Sequence, residues 1–205
     1  MASEHKDGGD DMDWVGLFRL SIFRPRDAAR QVVTWDLPLS ILLEAAVAVS
    51  CLGAVITWIG ALLMPGAGDP LILFFGGMPV LIVVTQLINL VVIAALITGV
   101  GRLCGGHGTL KGAFTTIVWI NTVMILLQLV QSVVVWLLPP LALLVSFLLF
   151  NWVIWAMTVF IAELHGFKNF FAVAVLVFLT AMVMTFGLIS VLSGLGMVPQ
   201  GVGDV

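Results

Sequence analysis

AELHGFKNFF, residues 162–171, is a polar corner between two long apolar runs. Glu163 and His165 close the first run, Gly166 offers a turn, and Lys168 precedes the next run. An imperfect copy, CGGHGTLKGAF, occupies residues 104–114. Both copies read His-Gly, then Lys, then Phe three residues beyond the Lys. A helix needs roughly 20 apolar residues to cross about 30 Å of hydrocarbon, and runs of that length flank both corners. The pattern is that of an all-α polytopic membrane protein that meets water at corners like these.

The composition requires the same solvent. Of 205 residues, 61% are hydrophobic and 9% are charged, and the mean hydropathy is +1.22. Soluble domains carry about 25% charged residues, and a soluble fold of this length would have too little polar surface to cover its apolar side chains. Cys51 falls in an apolar run and Cys104 in a loop, so the spacing suggests no disulfide. The N-terminus, MASEHKDGGDDMD, is acidic and lacks the basic start and apolar core of a cleaved signal.

In chain order, residues 1–13 read as a disordered acidic tail. Residues 14–36 read as an interfacial amphipathic segment. Trp14, Leu17, Phe18 and Ile22 share one helical face, and Pro25 opens a second short helix carrying Arg26, Asp27 and Arg30. Basic residues opposite Trp, Phe and Leu describe a helix in the membrane surface, where it caps the bundle or docks a protein or anionic lipid. Residues 37–193 form the transmembrane domain, with spans expected at 39–64, 79–98, 113–138, 141–162 and 170–192. Asp36 and Pro38 suit the opening of span 1. The start of span 2 is open between residues 71 and 79, and Pro139 and Pro140 force a tight turn between spans 3 and 4. Residues 194–205 read as a loose tail.

Five spans place all eight Lys and Arg residues on one side. The positive-inside rule makes that side the cytoplasm, with the N-terminus inside and the C-terminus outside. Trp35, Trp119 and Trp155 then fall near the inner boundary, and Trp58 and Trp136 near the outer one, as two aromatic belts would. The two His-Gly corners suggest that spans 2–3 and 4–5 are parallel copies.

Polar side chains within spans are the candidate functional residues, because lipid makes them costly. Glu44 enters span 1 by about a turn and a half, and snorkelling would pair it with Arg30, Arg102 or Lys111. Glu163 ends span 4, where the helix dipole disfavours an acid, so a partner is expected in Lys168 or Lys111. Gln86 and Asn89 share a face of span 2; Asn121, Gln128 and Gln131 share a face of span 3; Asn151 lies in span 4. Such amides cross-link helices for about 0.6–2 kcal/mol each, or line a polar path. His107 and His165 read as helix-end residues. Cys104 with His107 is half of a metal site without the other ligands. No hydrolase, zinc-protease or nucleotide-binding motif is present, so catalysis and cofactors are not expected.

The segments IFRPRDAARQVV before span 1, GGHGTLKGAF entering span 3 and AELHGFKNFFAVAVL entering span 5, in five-span order, resemble the Yip1 domain family in its bacterial type. The resemblance covers residues 18 to about 192. It implies an integral protein of the bacterial inner membrane without known catalysis or established site residues. Eukaryotic members of the family are tied to Rab-type GTPases, partners that a bacterial host would lack. The expected role is a scaffold that associates with membrane lipid, other membrane proteins or itself at the cytoplasmic face, with no nucleic acid. The alternative is a small transporter or channel with a polar path lined by spans 1–3.

Overall fold

The computed structural model describes residues 13–63 and 79–194, which form seven α-helices and one 3₁₀ turn. Two short helices, α1 (Trp14–Phe23) and α2 (Pro25–Val33), precede five long ones. The long helices are α3 (Leu39–Leu63), α4 (Pro79–Leu103), α5 (Leu110–Leu137), α6 (Ala142–His165) and α7 (Phe170–Gly194). All five are long and apolar enough to span a membrane. The described part of span 2 begins at Pro79; residues 71–75, considered for an earlier start, lie outside the described residues, as do most of the acidic tail and the C-terminal tail.

Local chemistry sets the helix ends. Asp13 caps α1, its carboxylate accepting from Gly16 N–H at 2.8 Å. Pro25 occupies the first turn of α2, where its missing N–H is no loss. Thr109 caps α5 by accepting from Gly112 N–H, and Asn169 caps α7 by accepting from Ala172 N–H. Pro139–Leu141 forms the 3₁₀ turn that reverses the chain between α5 and α6. Asp36 leaves the start of α3 uncapped and pairs with Lys111 instead.

The core is concentrated toward one end. Ala113–Ile120 of α5 and Thr158–Ala162 of α6 are buried without interruption. Beyond them, Leu129, Val130, Val133 and Trp136 of α5 and Leu143, Leu144 and Phe147 of α6 are exposed. The difference arises from α1 and α2, which pack across the buried halves of α5 and α6. Ala28, Ala29 and Val32 are fully buried, so α2 approaches α6 on small side chains. Trp119 accordingly differs from a belt residue. It is buried at 5% exposure, rings it shares with Trp14, Phe18 and Trp35 surround it, and its indole N–H donates to Ser21 Oγ at 3.0 Å. Trp152 similarly donates to the Ile22 carbonyl at 3.1 Å. The segment 14–36 is thus a built-in cap of the bundle.

Candidate functional site

The two polar corners lie side by side at the capped end. Each closes its helix by the same backbone device. Gly105 (φ 84°) and Gly166 (φ 71°) adopt the left-handed conformation. Gly106 N–H donates to the Gly101 carbonyl and Phe167 N–H to the Ala162 carbonyl, both at 2.9 Å, while Gly105 and Gly166 donate to Arg102 and Glu163. The two corners therefore share a cap geometry, displaced from the letters that suggested a repeat. Gly166 corresponds to Gly105, so His165 corresponds to Cys104 and not to His107. The lysines differ too: Lys111 lies inside α5 beyond its cap, whereas Lys168 precedes the Asn169 cap of α7.

The histidines have opposite environments. His107 is exposed, and only its backbone N–H reaches the His165 carbonyl, at 3.4 Å. His165 is 2% exposed and inserts into the other corner. A Cβ on Gly101, Gly106 or Gly108 would come within 2.0, 2.6 or 2.5 Å of its ring. Those three glycines form a cradle that the imidazole fills. Nδ1 lies 3.1 Å from the Ile161 carbonyl, which can only accept, so this nitrogen carries the proton. Nε2 is buried without a hydrogen-bond partner among the described residues. Phe167 stacks on the ring at 5.4 Å, and Arg102 Nε closes the cradle by donating to the Gly108 carbonyl at 3.2 Å.

The expected ion pairs are redistributed. Glu163 does not meet Lys168 or Lys111; its carboxylate lies 3.3 Å from Arg26 Nε and 3.5 Å from Arg30 Nε. Arg26 and Arg30, one helical turn apart on α2, present both guanidinium groups to the C-terminal turn of α6. Lys111 is taken by Asp36, whose exposed carboxyl is held below the usual carboxylate range by that hydrogen bond and by the lysine's charge. Glu44 is exposed and makes no ion pair among the described residues, so its expected pairing with Arg30, Arg102 or Lys111 is not formed. Lys168 is exposed likewise.

Midway along the bundle, the amides separate into two groups. Gln86 and Asn89 of α4 and Asn121 and Gln128 of α5 line one cavity of about 320 Å³ among α3, α4, α5 and α6. The Gln86 amide lies against Gly53 of α3, where a Cβ would come within 2.9 Å of it. Gln131 is drawn elsewhere, donating to Ser146 Oγ of α6 at 2.8 Å. Asn151 is exposed and donates to the Phe147 carbonyl. Sequence reasoning missed Ser50, which also lines the cavity and is 1% exposed. Its signal was present, since Ser50, Gly53 and Thr57 follow at i, i+3 and i+7 on one face of α3. Glu44 is not in the lining. Among the described residues, no group of three or more His, Cys, Asp and Glu is placed to hold a metal ion.

No curated protein and no solved structure matches the chain. The profile of the Yip1 domain matches residues 19–191, from α1 through most of α7. That span includes the α2 cap, both glycine-capped corners and all five long helices, and the chain is a membrane protein belonging to the Yip1 domain family.

Proposed function

We propose that this Yip1-family protein is a non-catalytic scaffold of the bacterial inner membrane. Its basic end faces the cytoplasm and associates there with anionic lipid, other membrane proteins or further copies of itself. The observation that carries this reading is the mounting of the cations. Arg24 is 72% exposed and Arg26 and Arg30 are each 62% exposed, although the helix that bears them is seated on buried Ala28, Ala29 and Val32. Arg19 and Lys168 add to the same end. Arg24 is paired with Asp27, and Arg26 and Arg30 with Glu163. A guanidinium has five donors, however, and a rigid support that keeps these groups largely exposed suits recognition of phosphate or carboxylate at low entropic cost. The bacterial placement follows the bacterial type of sequence that the chain resembles.

Crosslinking in native membranes through Lys111 and Lys168, followed by mass spectrometry, tests the proposal. The expected result is a reproducible neighbour or a crosslink between copies. Protein purified in mild detergent without partner, oligomer or preference for anionic lipid would overturn it.

The amide cavity favours a second reading, a small transporter or channel lined by α3, α4 and α5. It requires water to reach the middle of the bundle. Cysteines placed at Gln86, Asn121 and Gln128 would then react with a water-soluble thiol reagent, and uniform protection would eliminate it.

A further inference from the structure

The amide cavity has a neighbour. A second cavity, of about 510 Å³, lies between α4, α6 and α7. Its lining is apolar: Thr180 and Thr185 border it, but their hydroxyls donate to carbonyls of their own helix. Asn89, Ile93, Val153 and Met157 border both cavities and form a shared wall. Met157 is the unbranched, adaptable member of that wall.

Two further observations specify an occupant. The amide cavity is lined by hydrogen-bonding groups without a charged side chain. An ionic head placed there would lose its hydration and find no counter-charge. Ser50 also departs from the habit of this bundle. Thr57, Thr98, Thr122 and Thr158 all donate to the carbonyl four residues back. Ser50 Oγ is buried, makes no such bond and, like Thr116 Oγ1, has no partner among the described residues. It borders the cavity with its hydrogen-bonding capacity unspent.

We propose that the two cavities form one bipartite site for a neutral amphiphile. Ser50, Gln86, Asn89 and the amide oxygen of Asn121, whose Nδ2 donates to the Ile117 carbonyl, hold an uncharged, oxygen-bearing head, and the apolar cavity takes a long acyl or isoprenoid tail. At about 30 Å³ per water, the amide cavity has the volume of roughly ten waters, which suits a glycerol ester or a single oxygenated ring. Asn89, at the junction, marks the boundary between head and tail. The amide cavity lies midway along the helices, and the apolar one runs from Asn89 toward Gly101 and Ile161 at the capped end.

The test uses the full chain in nanodiscs with three photoactivatable probes: a diacylglycerol, a polyprenol and, as charged comparator, a phosphatidylglycerol. One or both neutral probes are expected to label peptides of α4, α6 and α7 saturably, at least ten-fold above the phosphatidylglycerol. Excess unlabelled lipid of the same kind should compete. Met157→Trp, which fills the junction, and Ser50→Val should each lower the labelling at least five-fold. If either variant fails to fold, competition and the peptide map in the unaltered protein still decide. Equal labelling by the charged probe, labelling spread over the outer faces of α5 and α7, failure of competition, or no labelling by either neutral probe would each overturn the site.

Discussion

His165 and its cradle show how little room a residue-scale contact can leave. Gly101 lies on α4, and a methyl there would meet the imidazole at 2.0 Å. Gly101→Ala is expected to destabilise the protein by about 1–3 kcal/mol, as overpacking of a tight contact does. The effect should shrink markedly in a His165→Ala background, where the clash is gone. Thermal unfolding of the four proteins in detergent reads this cycle, and equal losses in both backgrounds would show that the ring is not the cause. Asp36 gives the pH-dependent prediction. Its carboxyl is lowered by Lys111, so the pair stabilises the fold above the ordinary aspartate value of about 3.9 and the contribution is lost as pH falls through the lower folded value. Lys111→Met should move the Asp36 titration upward into the ordinary range. A carboxyl-carbon NMR titration that leaves Asp36 unmoved would refute the pairing.

At the scale of elements, α2 is the decisive piece. Its sequence, PRDAARQVV, shows basic residues and small ones, which fits a surface helix as well as a buried one. What distinguishes them is Ala28 and Ala29 at 0% exposure against α6. Ala28→Leu should unseat the helix, at about 1–3 kcal/mol. Glu163→Gln should act more weakly. The arginines it pairs with are largely exposed, and ion pairs of that kind contribute about 0.2–1 kcal/mol. Trypsin cleavage at Arg26 and Arg30 measures both: faster cutting in Ala28→Leu than in Glu163→Gln is expected, and the reverse order would make the ion pairs the main attachment. The Glu163 partners were not legible in the sequence, because helix-dipole reasoning identifies the need for a cation without saying which one the tertiary fold delivers.

At the scale of the whole molecule, the capped end is tightly packed and the far halves of α5 and α6 present Leu, Val, Phe and Trp outward. That asymmetry coincides with the charge asymmetry. If the basic end is cytoplasmic, native Cys104, which is exposed at that end, should react with a membrane-impermeant maleimide in inverted vesicles and stay protected in right-side-out cells. A Cys51→Ser background removes the other thiol. Labelling from the outside would reverse the topology.

The number of long helices, their approximate limits and the gathering of cations at one end were all written in the order of residues. Each depends on hydropathy along a run of about 20 residues and on turn chemistry at Pro and Gly, which are local properties. The pattern of the Yip1 corners was local too, which is why it could be recognised. The companions of each polar side chain were not. Letter matching aligned His107 with His165, whereas cap geometry aligns Gly105 with Gly166, since a left-handed cap is set by backbone conformation rather than by the residue after it. Helical periodicity put Gln128 and Gln131 on one face, yet Gln128 lines the cavity and Gln131 bonds Ser146. Three residues turn a side chain by about 60° away from its neighbour, and only the helices packed on either side decide which of them it meets.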